Sequence, residues 1–151
     1  MAHLAAIAAD ADAFLTSLHD PEARGARITL ADGSTVPRLP GYTRWIDAGG
    51  FAGFANLRWQ RGTDVLPPHV SGHIGYGVVP QRRRQGIATR ALALLLDEAR
   101  GIGLAAVILT AGLENLASQR VIAANGGIAM GRETVPPALG GREIIRWRIA
   151  L

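Results

Sequence analysis

The segment from Gly72 to Leu109 constrains the chain most. It holds an apolar run with glycines, a proline, three successive arginines, a glycine, a long amphipathic stretch and a second apolar run. Gly72–Val79 reads as a strand ended by Pro80, which has no N–H to give to a ladder. Gly86–Ile102 reads as a helix: Ala88, Ala91, Leu92, Leu95, Ala99 and Ile102 recur at helical spacing, and Gly101 and Gly103 close it. Ala105–Leu109 is a short apolar run, read as a buried strand. Strand, helix and strand in that order predict a parallel crossover.

Around this unit, apolar residues at 4, 7, 8, 11, 14, 15 and 18 predict one amphipathic helix over 3–19. Arg27–Leu30 and Ser34–Val36 flank Ala31-Asp32-Gly33, an Asp-Gly turn signal for a small hairpin. Tyr42–Asp47 and Phe51–Arg58 read as strands joined by Ala48-Gly49-Gly50, followed by a loop over Gln60–Ser71. Asn115–Ala124 reads as a second helix that ends in Asn125-Gly126-Gly127. Ile128–Arg132 and Glu143–Leu151 read as final strands around a loop with Pro136-Pro137 and Gly140-Gly141. Early strands adjacent in sequence favour antiparallel pairing, so the expectation is a single domain over 1–151, an α/β (α+β) fold with a mixed sheet and helices on its faces.

Composition narrows the chemistry. With 151 residues, 48% apolar and 19% charged, the chain can bury a core without staples. It has no cysteine, which excludes disulfides, thiolate zinc sites and cysteine nucleophiles and fits a cytoplasmic setting. No apolar run approaches bilayer length, and no membrane partner is expected. The formal charge is +4, but the basic residues form no long stripe and only 5% of residues are aromatic, so nucleic acid is not the expected partner.

The positive charge concentrates at Val79-Pro80-Gln81-Arg82-Arg83-Arg84-Gln85-Gly86, at the start of the long helix. A helix N-terminus carries unpaired N–H groups and partial positive charge, and a glycine there lets backbone approach a ligand. That combination suits a pyrophosphate; the plainer alternative is a capped helix with a solvated basic turn. There is no Gly-Lys-Ser/Thr of a P-loop and no Gly-x-Gly-x-x-Gly of a dinucleotide fold.

Arg83-Arg84-Gln85-Gly86-Ile87-Ala88 resembles the Arg/Gln-x-x-Gly-x-Gly/Ala signature of the GNAT superfamily of acyl-CoA-dependent N-acetyltransferases. Its context is similar too: it follows Val78-Val79-Pro80 and precedes a long helix. Downstream, Asn115-Leu116-Ala117-Ser118 resembles the family's Asn-x-x-Ala/Ser helix start, before the Gly126-Gly127 turn. Gly53–Arg58, Gly72–Val78 and Arg146–Leu151 are similar to one branch of predicted acetyltransferases, so the resemblance covers the chain from about Val36 onward.

The resemblance implies a mostly antiparallel central sheet with a splayed parallel pair, here 72–79 and 105–110, that receives acetyl-CoA. It implies that Val78 and Val79 serve the pantetheine arm, that Arg83, Arg84, Gln85, Gly86, Ile87, Ala88 and Thr89 cradle the pyrophosphate, that Asn115 reaches the pantetheine, and that Ser118 or Arg120 lies near the cofactor's far end. It implies direct attack of an amine on the thioester, with no metal. Val79 N–H is the candidate to polarise the carbonyl, or else an ordinary ladder donor.

His73 stands where many relatives carry a glutamate and is the candidate base; the alternative is a histidine satisfied within the sheet. By strand alternation His73, Gly75, Gly77 and Val79 share one face, and Ile74, Tyr76 and Val78 the other. Relatives place an acidic tyrosine where this chain has Ile122, which leaves Tyr76 or Tyr42 as substitutes. Asn56 and Arg58 are candidate acceptor-binding residues, with Arg58 either paired to a substrate carboxylate or a surface arginine.

The expected acceptor is a small-molecule or peptide amine; the alternative function is a non-catalytic acyl-CoA sensor or assembly module. The apolar terminal strand, with Ile144, Ile145, Trp147 and Ile149, is read either as a homodimer surface or as part of the sheet.

Overall fold

A computed structural model describes residues 2–30, 32–135 and 141–151. Ala31 of the first turn and Pro136-Pro137 and Gly140 of the late loop lie outside the described residues.

The N-terminal segment is two helices, α1 (Ala2–Ala9) and α2 (Ala11–Ser17), in place of the single predicted helix over 3–19. Asp10 breaks it. Its backbone is extended, with φ −161°, and its carboxylate accepts the Ala13 N–H at 2.9 Å. Aspartate caps a helix start better than it continues one, so the apolar periodicity runs across the break. The chain then enters β1 (His19–Asp20) and a small hairpin of β2 (Ile28–Thr29) and β3 (Thr35–Val36), with Ile28 opposite Val36.

β4 (Gly41–Asp47), β5 (Phe51–Arg58) and β6 (Ile74–Val78) join β1 in a four-stranded antiparallel sheet ordered β1-β4-β5-β6. A 3₁₀ turn at Pro80–Arg82 leads into α3 (Ile87–Ile102). β7 (Ala106–Gly112) follows, then α4 (Leu116–Ala124), β8 (Ile128–Thr134) and β9 (Glu143–Ala150). The last three strands form a second antiparallel sheet ordered β7-β9-β8. β9 is thus paired on both edges, and Ile144 and Ile149 are buried in the sheet.

The two sheets meet where β6 begins beside β7. His73 N–H donates to Ile108 O at 2.7 Å, and the strands share no ladder beyond it. The parallel pair expected from the crossover is therefore joined at one end and open at the other. The core that fixes this shape lies under α3: Leu92, Leu95, Leu96 and Ala99 pack against Leu57, Val107, Leu109, Ile122 and Ile149. Each buried leucine contributes about 1.5–3 kcal/mol by leaving water. At the close approach of β5 to β6, a Cβ on Gly53 (φ +155°) would sit 2.0 Å from Gly77 O, so only glycine fits there.

Candidate active site

The ladder between β5 and β6 decides which backbone groups face the opening. Asn56 lies opposite Gly75 and Leu57 opposite Ile74. At the ladder's two ends Arg58 N–H donates to His73 O and Val79 N–H donates to Ala52 O, each at 2.9 Å. Bonding alternates along an antiparallel strand, so Gly75 and Gly77 bond β5 while Ile74, Tyr76 and Val78 turn their N–H and C=O groups toward β7. The Val78 carbonyl agrees, since it accepts from Arg83 Nε at 3.0 Å. This corrects the expectation for Val79. Its N–H is spent on Ala52, and the groups that open onto the gap belong to Tyr76 and Val78.

The turn before α3 has the backbone of an anion cradle. Arg84 has φ +61° and Gly86, the helix N-cap, has φ +72°. From Arg84 to Thr89, six consecutive N–H groups donate to no protein acceptor among the described residues. Gln85 and Gly86 are exposed, Ile87 is buried, and Ala88 and Thr89 are half-buried. The arginines divide. Arg82 holds the β4–β5 turn through Ala48 O at 2.7 Å and Gly49 O at 3.1 Å. Arg83 reaches Val78 O, and Arg84 makes no side-chain bond among the described residues. Of the three successive arginines, Arg84 alone is thus left without a side-chain bond among the described residues, with Arg83 in reach of the same opening.

At the closed end, His73 is 0% exposed. Its Nδ1 accepts the Ile108 N–H at 2.9 Å, and its Nε2 has no partner among the described residues. Burial holds its pKa below the ordinary histidine value. Neutral imidazole has one acceptor nitrogen, and Ile108 already occupies it. Taking a proton there means giving up a buried backbone bond, which weighs against His73 as the base.

Tyr76 points to the opposite face. Its hydroxyl lies 2.9 Å from Ser118 Oγ and 3.3 Å from Ser118 O, at the first turn of α4. Burial raises its pKa and keeps it protonated, against a smaller lowering by the Ser118 bond. Ile122, one turn further on, is 0% exposed and belongs to the core. Tyr42 stands on β4, separated from β6 by β5, with its ring stacked on His19. Asn115 caps α4: its Oδ1 accepts the Ser118 N–H at 3.0 Å, and its amide nitrogen has no partner among the described residues and can serve a ligand.

On the other face of β5, Asn56 and Arg58 line a cavity of about 430 Å³ together with Asp20, Arg38, Tyr42 and His69. Arg58 Nη2 donates to Asn56 Oδ1 at 3.0 Å. Asp20, Arg38 and His69 escape sequence reasoning because they come from three separate segments, β1, the stretch before β4 and the β5–β6 loop, with no shared motif. A larger cavity of about 540 Å³ lies on the α3 side, between β4 and α3, lined by Trp45, Ala55, Leu94 and Glu98 among others. Ala55 alternates with Asn56, so this cavity opens on the sheet face opposite the Asn56–Arg58 pair.

Among the described residues there is no cluster of three or more His, Asp or Glu arranged to hold a metal, and no helix is long and apolar enough to cross a membrane.

A sequence model of the acetyltransferase (GNAT) family matches residues 7–126. Among solved structures, RimJ of Mycobacterium smegmatis in complex with CoA-disulfide is 27% identical, with a TM-score of 0.58 over 73% of this chain and 53% of that one. YncA of Salmonella typhimurium, a putative acetyltransferase with its cofactor acetyl-CoA, is 22% identical, with a TM-score of 0.56 over 70% of this chain and 61% of that one. The spermidine N-acetyltransferase SpeG of Vibrio cholerae shares the fold at 13% identity, with a TM-score of 0.55 over 73% and 65% of the two chains. This chain thus spans between about half and two thirds of the length of these solved relatives. Among curated proteins no significant match is found. None of this supports the alternative of a non-catalytic binding module. With the splayed pair, the arginine–glycine turn and the matched span together, the chain belongs to the GNAT acetyltransferase family.

Proposed function

We propose that this protein transfers an acetyl group from acetyl-CoA to a primary amine by direct attack. The observation that carries the reading is the run of six N–H groups, Arg84 to Thr89, that donate to no acceptor among the described residues at the mouth of the β6–β7 gap. A helix start with that many free donors fits a pyrophosphate, and the gap beside it takes a slender arm in extended contact with strand backbone. Solved relatives that hold acetyl-CoA or CoA support the choice of donor.

In this reading Arg84, Gln85, Gly86, Ile87, Ala88 and Thr89 hold the pyrophosphate, and Arg83 moves from Val78 O to a phosphate oxygen. Val78 and the Asn115 amide nitrogen bond the pantetheine. The thioester then lies deeper in the gap than Val78, so the Tyr76 N–H is the donor that polarises its carbonyl, in place of Val79. The amine nitrogen bonds to the carbonyl carbon, the carbon–sulfur bond breaks, and the thiolate takes a proton from the Tyr76 hydroxyl, which regains one from solvent before the next turnover. Ser118 Oγ, 2.9 Å away, positions that hydroxyl. The amine loses its proton to water in the open cavity beside Asn56 and Arg58. His73 positions the two strands and moves no proton.

Calorimetric titration of the protein with acetyl-CoA and CoA tests the reading, followed by a screen of amines for acceptor-dependent CoA release. Binding with turnover upholds it. Failure to bind acetyl-CoA ends it.

A further inference from the structure

Arg58 is the arginine at this site that has no carboxylate partner among the described residues. Arg38, Arg44, Arg61, Arg100 and Arg146 each lie within 4.0 Å of a carboxylate. Among the described residues Arg58 does not, although it is half-buried, and its one side-chain bond among them goes to the neutral amide of Asn56. A guanidinium has five N–H donors in a planar fork, so most of its capacity is unused. A partly desolvated charge without a partner is costly, and a ligand anion would offset that cost.

Its position ties this to the reaction. A Cβ placed on Gly75, in the middle of β6, would lie 3.1 Å from Asn56 Oδ1 and 3.4 Å from Arg58 Nη2. The Asn56–Arg58 pair therefore rests over the strand whose opposite edge borders the gap. The surrounding cavity is basic: Arg38, Arg58 and His69 face one acid, Asp20, among its described lining residues. Asp20 is already engaged by the N–H groups of Arg24 at 2.7 Å and Gly25 at 2.8 Å. An ammonium would meet one acid that is already shared with two backbone N–H groups and Arg38, whereas a carboxylate would meet an open fork.

We propose that the acceptor is an amine that also carries a carboxylate, an amino acid or short peptide held by Arg58 with Asn56 beside it, and not a polyamine. This rests on the acetyl-transfer reading above. The cavity's volume of about 430 Å³ suits a molecule of that size.

The test measures CoA release from acetyl-CoA with amino acids, their carboxamides and linear diamines as acceptors, for the natural protein and for Arg58→Gln and Arg58→Lys. The natural protein should prefer each carboxylate over its carboxamide by about tenfold or more in kcat/KM, in keeping with a charge-assisted bidentate contact. Arg58→Gln should abolish the preference while acetyl-CoA binding by calorimetry is unchanged, and Arg58→Lys should keep part of it. Equal use of carboxamides, better use of diamines, or a preference that survives Arg58→Gln would overturn the inference and leave acetyl transfer standing. Loss of acetyl-CoA binding by the natural protein would overturn both.

Discussion

His73 and Ile108 hold each other by two hydrogen bonds that run in opposite directions: the His73 N–H donates to Ile108 O at 2.7 Å, and the Ile108 N–H donates to His73 Nδ1 at 2.9 Å. One side chain thus closes the apex of the gap. The acceptor at Nδ1 places the imidazole proton on Nε2. His73→Asn offers an oxygen in place of Nδ1, and should retain the fold and most of kcat. A general base removed in the same way would cost about 10²–10⁴-fold. His73→Ala should lose about 1–3 kcal/mol of stability, because it leaves the Ile108 N–H buried and unpaired. Urea unfolding and steady-state rates of the two variants separate a positioning histidine from a base.

The same histidine sets a pH dependence. Burial, the largest cause, holds its native pKa below the ordinary 6.5, with the Arg58 charge acting in the same direction. Below pH 6.5 the unfolded chain takes up a proton that the native protein refuses. Stability should therefore fall as pH drops through 6.5 toward the native value, with no contribution from this group well above it. Unfolding curves across that range, against His73→Asn, should show a shallower decline in the variant. An identical slope in both would remove His73 as the cause.

Gly86→Val should weaken acetyl-CoA binding far more than it weakens the fold. At φ +72° a β-branched residue is strained, at about 1–2 kcal/mol by the left-handed penalty. The Cβ would also meet Arg90 Nη1 at 3.1 Å, a flexible end that can move away. The larger effect should come from displacing the N–H groups of the turn from their common centre. Calorimetry with acetyl-CoA reads the loss, and thermal unfolding checks that α3 remains docked.

Tyr76→Phe should lower kcat toward the lower end of the ~10²–10⁴-fold range for a proton donor, with KM for acetyl-CoA little changed. Ser118→Ala should give a smaller effect of the same kind, because it removes the partner 2.9 Å from the hydroxyl and leaves the hydroxyl itself. A Tyr76→Phe enzyme with unchanged kcat would show that the thiolate is protonated by solvent.

The sequence was most readable where one local rule acts alone. The stripe Ala91, Leu92, Leu95 and Ala99 predicts α3, and all four are buried in it. Pro80 ends β6, and Gly86 opens α3 in a left-handed conformation that residues with a Cβ adopt only under strain. The predicted helix over 3–19 misses its break because the apolar stripe continues past Asp10, and only the carboxylate's bond to Ala13 N–H shows the cap. Alternation correctly groups Tyr76 and Val78 against Gly75 and Gly77. Strand parity alone does not say which set bonds β5, and that choice spends the Val79 N–H on Ala52 and turns the Tyr76 N–H toward the gap.

What the sequence by itself determined is therefore the order of elements from β2 onward, the strand–turn–helix unit over 72–102 and the family to which it belongs, because these follow from contacts between near neighbours. Only the tertiary structure decided that His73 spends its lone pair on Ile108, that Tyr76 meets Ser118 and that Arg58 has no counter-ion among the described residues. Each depends on a partner, present or missing, at the same point in space. The first two partners lie 35 and 42 residues away along the chain, and no periodicity reaches that far.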